Sequence, residues 1–135
     1  MLEKLEALDL PLLMAVAMEE TASEATRVQK DQLWKGLKSD DTGIVPDYAP
    51  ITVMYKLSKG HPYSRVTLRD FGDFYAGIFL DVRGVEFVIE SQDEKSGELQ
   101  ARYGTDIFGF GSKAQAEYIK SLQPEFVDWI RKDLK

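Results

Sequence analysis

Apolar positions recur at helical spacing over the first quarter of the chain, cluster in short strand-length runs through its middle, and return to helical spacing at its end. Leu2, Leu5 and Leu8 are spaced by three. From Leu12, the positions Val16, Ala22, Ala25, Val28, Gln32 and Leu33 drift around one face, while Glu19, Glu20, Glu24, Arg27, Lys30 and Asp31 mark the other. That period predicts a long amphipathic helix from about Leu12 to about Lys35. Asp9 is placed to cap it. Pro11 suits a first turn because its missing N–H has no helical partner there, and Gly36 is placed to close the last turn.

Residues 38–63 break the pattern. Gly43 and Pro46, then Gly60 and Pro62, punctuate two stretches of turn chemistry. Between them Pro50 to Leu57 is short and mixed, compatible with a strand or one helical turn. The region is expected to be an extended, surface-running arm carrying Tyr48, Tyr55 and Tyr63, with Trp34 at its approach. Beyond it the pattern becomes β. Ser64 to Leu68 alternates moderately, and Ala76 to Val82 and Val85 to Ser91 are rich in Phe, Ile and Val. Arg83-Gly84 is a hairpin turn candidate, and Glu98 to Tyr103 a further strand candidate. After Gly109 and Gly111, Ser112 is a candidate cap for a terminal helical region. There Tyr118, Ile119, Leu122, Phe126, Val127, Ile130 and Leu134 follow spacings of three and four. Pro124 leaves two short helices or one kinked helix open. The expected fold is a single α+β domain over residues 1–135: a long N-terminal helix, an irregular arm, an antiparallel sheet of three or four strands and a C-terminal helical element.

Composition narrows the function classes. The chain has 135 residues, 44% of them hydrophobic, enough for a core without staples. There is no cysteine, which removes disulfides, thiolate metal sites and cysteine nucleophiles. A formal charge of -6, with basic residues scattered, argues against a broad nucleic-acid face. The apolar run Leu12 to Met18 is far shorter than the roughly 20 residues that span a bilayer. It follows Glu3, Glu6 and Asp9 rather than the positive charge of a secretory signal, so neither a leader nor membrane insertion is expected.

Catalytic chemistry finds little to work with. The one histidine, His61, lies in a Gly-His-Pro turn, and no nucleophile elbow surrounds Ser58 or Ser64. Asp81 and Glu86 flank the hairpin turn and, with Asp93 and Lys95, sketch a carboxylate-metal site. The ordinary alternative is the solvated face of a strand. Asp40-Asp41-Thr42-Gly43 hints at a calcium loop but lacks the acid at its twelfth position, which favours a plain turn. Phe108-Gly109-Phe110-Gly111-Ser112 precedes a helix and has N–H groups to offer an anion, but a tight entry into the helix is its expected use. No catalytic, cofactor or metal residue is assigned.

Two stretches carry a resemblance. One is Val66-Thr67-Leu68-Arg69-Asp70-Phe71-Gly72-Asp73-Phe74-Tyr75, preceded by Tyr48, Thr52, Lys56 and Lys59. The other is Ala101-Arg102-Tyr103-Gly104-Thr105-Asp106-Ile107-Phe108-Gly109. In order and spacing they resemble small tail-completion or neck proteins of tailed bacteriophages, including uncharacterised members from phages or prophages of the Bacteroides group. Leu68, Asp70, Gly72 and Phe74 match that class's leucine, acid, glycine and large apolar positions, and Tyr103-Gly104 its later aromatic-glycine element. Phe71 departs from it, standing where threonine is usual.

The resemblance implies a non-enzymatic virion or assembly subunit without cofactor. It would bind its own copies, tail-tube or connector proteins in the host cytoplasm and then the virion, with no role for nucleic acid or membrane. Tyr75 and Phe79, assigned to the second face of an apolar strand, add a candidate contact patch beside Trp34, Tyr48 and Tyr55. An acidic cytosolic binding module and a small carboxylate or metal-dependent hydrolase are the alternatives.

Overall fold

A computed structural model describes residues 9–62, 64–68 and 73–134. Helix α1, Leu10–Glu20, starts where expected: the Asp9 carboxylate accepts the Leu12 N–H at 3.2 Å, and Pro11 sits in the first turn. The single long helix does not form. Thr21 interrupts it, and α2 covers Ala22–Trp34. The Thr21 hydroxyl donates back to the Ala17 carbonyl at 2.8 Å, a bond that bends helices. The Tyr118 hydroxyl lies 2.9 Å from Thr21 Oγ1 and ties the bend to the far end of the sequence. Beyond α2 the Leu37 N–H reaches the Gln32 carbonyl at 3.1 Å, closing the helix at Gly36 as expected.

The arm is only partly irregular. Residues Pro50–Lys59 form helix α3, nearly three turns where one or none was expected. Pro50 opens it, and Gly60, at φ +71°, ends it in the left-handed conformation that a side chain resists. The His61 N–H then bonds the Lys56 carbonyl at 2.9 Å.

A short helical turn, α4 (Asp73–Ala76), leads into the hairpin of β1 (Ile78–Arg83) and β2 (Glu86–Ser91). Arg83 pairs with Glu86, so the turn residues are Gly84 and Val85, one position later than the sequence suggested. Among the described residues the sheet has these two strands rather than three or four. Ser64 to Leu68 forms no strand, and Glu98 to Tyr103 belongs to helix α5, Ser96–Tyr103. The helix follows from spacing: Ser96, Leu99 and Tyr103 turn to the interior together, with Glu98 in the first turn and Arg102 in the last, each matched to the helix dipole. A 3-10 turn at Thr105–Ile107 precedes α6, Ser112–Leu134, one continuous helix that contains Pro124.

The hairpin puts most of its apolar side chains on one face, with Phe79 and Val88 among the polar residues of the other. Ile78, Leu80, Phe87 and Ile89 share the face that joins the core. Phe79, Asp81, Arg83, Glu86 and Glu90 share the other. The core gathers Leu33 from α2, Ile44 from the start of the arm, Val66 and Leu68, then Phe74, Tyr75, Tyr103 and Ile107. Helices α1 and α2 pack against α6 and against β1. None of the helices formed by the described residues is long and apolar enough to cross a membrane.

Candidate docking surfaces

Helix α3 is mounted inside out. Lys56 is only 4% exposed, its ammonium 5.1 Å from the centre of the Tyr48 ring. On the opposite side Ile51 is 78% exposed, Met54 70% and Leu57 53%. Spacings of three put these side chains on one stripe, about 9 Å long at 1.5 Å per residue. Val45, upstream on the arm, is also exposed, as is Tyr55, over whose ring Lys59 sits at 5.6 Å. Lysine is the residue expected in water and isoleucine the one expected inside, so this orientation leaves apolar area unsealed.

A second apolar surface lies on the other helices. A groove of about 730 Å³ runs between α1, the hairpin tip and α6. Leu10, Met14 and Met18 form one wall, Val85 and Phe87 the end, and Tyr118, Ile119, Leu122 and Phe126 the other wall. Phe87, Phe110 and Tyr118 meet ring to ring at 5.4–5.6 Å within it. Burial pushes the Tyr118 hydroxyl's pKa above its ordinary value, partly opposed by its bond to Thr21.

The glycine-rich loop before α6 is closed to anions by the chain itself. Gln29, fully buried, donates to the Ile107 carbonyl at 3.2 Å and accepts the Gly109 N–H at 2.8 Å. Gln32 donates to the Gly109 carbonyl and accepts the Gly111 N–H, both at 2.7 Å. Asp41 accepts the Ser112 N–H at 2.9 Å and its hydroxyl at 2.7 Å. These two bonds, backbone first, hold the Asp41 carboxyl below its ordinary pKa. The acid capping α6 therefore comes from 71 residues upstream, and Ser112 donates rather than accepts. Asp40 accepts from Thr42, so Asp40 to Gly43 is a turn closed by the Leu37–Gly43 bridge.

Of the candidate contact residues, most are structural. Tyr48 is half-buried and accepts the Thr67 N–H at 2.9 Å. Phe74 and Tyr75 are buried, Phe74 against Phe108 at 5.8 Å. Tyr75 donates to the Thr67 carbonyl. Leu68 is buried with φ +59°, and Tyr103 is buried beside Gly104, at φ +98°. The contact patch expected at Tyr75 and Phe79 is not formed, because Tyr75 lies in α4 rather than a strand and turns inward. Phe79 stays half-exposed on the polar face of the hairpin. Trp34 and Tyr55 are each 37% exposed, Trp34 beneath the Arg65 guanidinium at 5.6 Å. Asp70 and Gly72 lie outside the described residues, as does Tyr63.

No protein family, curated protein or solved structure matches the chain. The carboxylates weighed for a metal site stand apart: the register sets Asp81 opposite Val88, and its side chain pairs with Arg83 at 2.8 Å. Among the described residues no three His, Asp or Glu side chains form a metal-binding group. The α3 stripe was missed in the sequence, although Pro50 and Gly60 mark both ends of that helix.

Proposed function

We propose that this protein is a non-enzymatic structural subunit that works by docking to other protein chains, with the outer stripe of α3 as its contact. The observation that carries the reading is the exposure of Ile51, Met54 and Leu57 on a helix whose lysine points inward. An apolar helix stripe of this kind is what helix-in-groove recognition uses, with anchors every three or four residues. The setting proposed for it is assembly of a phage tail or head–tail junction in the host cytoplasm. That setting rests on the sequence resemblance. The arm position of α3 agrees with a subunit that reaches a neighbour, and no cofactor or nucleic acid enters the reading.

The test is solution mass across a wide concentration range, by light scattering behind size exclusion, beside co-expression with a tail-tube or connector protein. The expected result is self-association or capture of that partner, lost in Ile51→Glu/Met54→Glu. A chain that stays monomeric at high concentration and captures no such partner overturns the reading.

A further inference from the structure

We infer that the outer edge of β2 is a second docking site, which takes an extended basic segment of a partner chain as an added strand. Backbone polarity carries the inference. Arg83 and Glu86 close the two-residue turn as a hydrogen-bonded pair, and the alternation of an antiparallel ladder makes Asp81 with Val88 and Phe79 with Glu90 the next two. The N–H and C=O groups of Phe87 and Ile89 therefore point away from β1. Among the described residues no hydrogen bond from outside the hairpin reaches them. Helices α1 and α2 pack against β1, whereas β2 borders a cleft of about 320 Å³. Phe87, Val88, Ile89 and Glu90 form one side of the cleft, and Gln100, Thr105 and Phe108 stand on the other. Because residues from both faces of β2 line it, the cleft follows the backbone edge rather than one face. Ile89 is only 4% exposed, so water reaches its outward groups poorly and a strand gains by pairing them. An unpaired edge of this kind is a template for another strand.

Charge selects the segment. Glu86, Val88 and Glu90 share the outer face of β2, and both acids are exposed. Arg83, opposite Glu86 in the register, is held by Asp81 at 2.8 Å and neutralises neither of them. Glu90 is the one charged residue lining the cleft. Across from it the Gln100 amide donates to Ser96 at 3.1 Å, which leaves its carbonyl to accept. An added strand alternates in step with β2. Its side chains opposite Glu86 and Glu90 are therefore basic, four positions apart, with a neutral one between them opposite Val88. A second copy's β2 in full antiparallel overlap is disfavoured, because it would set Glu86 against Glu90 twice.

The probe is a labelled peptide, Ser-Lys-Val-Thr-Val-Lys-Ser, added to the full chain and followed by fluorescence anisotropy and by amide exchange. Binding should slow exchange at the Phe87 and Ile89 amides. Methylating the backbone nitrogens of both valines, which face those residues, should abolish binding without a change of charge. Glu86→Lys/Glu90→Lys should weaken binding at least about tenfold, about 1.4 kcal/mol, and should favour the same peptide with glutamates in place of its lysines. Both positions are exposed, and circular dichroism checks that the variant keeps its fold. Ile51→Glu/Met54→Glu should bind the peptide as the wild type does, since α3 is a separate surface. No binding up to about 1 mM peptide overturns the inference. So does equal binding of the methylated peptide, which would reduce the contact to surface charge. Loss of binding in the α3 variant also overturns it, and leaves the docking reading of α3 standing. Protection of both amides by self-association of the chain alone would make a second copy the occupant, and the inference then fails as well.

Discussion

The loop from Ile107 to Ser112 and the helix from Pro50 to Lys59 handle exposed chemistry in opposite ways. The loop offers backbone N–H groups ahead of a helix, and side chains from α2 and the arm consume the N–H groups of Gly109, Gly111 and Ser112. The helix turns its lysine inward and leaves three large apolar side chains in water. A site that resembles a ligand cradle in sequence is thus spent on folding. A segment that resembles linker in sequence carries the unspent surface. The general lesson is that a binding surface is recognised by what the fold leaves unsatisfied, which neighbouring residues in sequence do not reveal.

Substitutions can separate the two regions. The largest effect is expected for Gln32→Leu, which strands the buried Gly111 N–H and the Gly109 carbonyl. Each uncompensated group costs about 1–3 kcal/mol, so denaturant unfolding should show a loss of about 2–6 kcal/mol without a change in association. Next comes Asp41→Asn. A carboxyl with a depressed folded pKa adds stability that is complete above its ordinary value of 3.8 and disappears as pH falls toward the folded value. Melting temperature followed from pH 7 downward should therefore be lower for the variant at neutral pH, and the difference should shrink in acid. Gly111→Ala should reproduce that profile, since a methyl there overlaps Asp41 Oδ1 and must displace the carboxylate.

Ile51→Glu/Met54→Glu should change stability by no more than about 0.5 kcal/mol per site while abolishing association. A large destabilisation would mean that the stripe supports the fold and would erase the contrast with the loop. The smallest effect belongs to Glu125→Gln. Its hydrogen bond with Glu20, then desolvation, and then the repulsion between the two acids raise the Glu125 pKa in the fold. The stability linked to that proton is present in acid and lost as pH rises through the folded value. The variant should melt slightly higher than wild type at pH 7, with a flatter profile through the weakly acidic range.

Sequence pattern revealed the elements whose apolar faces meet the core. Asp9 with Pro11, Gly36, the hairpin and the α6 stripe all obey the rule that period and punctuation report burial. The failures share a cause. Helix α3 has its apolar residues outside, so its stripe carried no partner in the pattern. Helix α5 is eight residues long, too short for its Ser96, Leu99 and Tyr103 spacing to stand out from alternation. Thr21 parts α1 from α2 with its hydroxyl bonded to the Ala17 carbonyl and tied to Tyr118, 97 residues away. Tyr75 faced inward because one helical turn replaced the start of a strand and changed which side chains share a face. The Gln29, Gln32 and Asp41 clamp had no local signal, because each partner lies 71 or more residues from its acceptor or donor.

The burial of Ile44 before α3 and Val66 after it has a mechanical meaning. The helix is a handle fixed at both ends. Tension on a docked handle divides between two points rooted in the same core, instead of peeling the chain away from one. A cut within the helix would open the handle and leave both stumps anchored in the core.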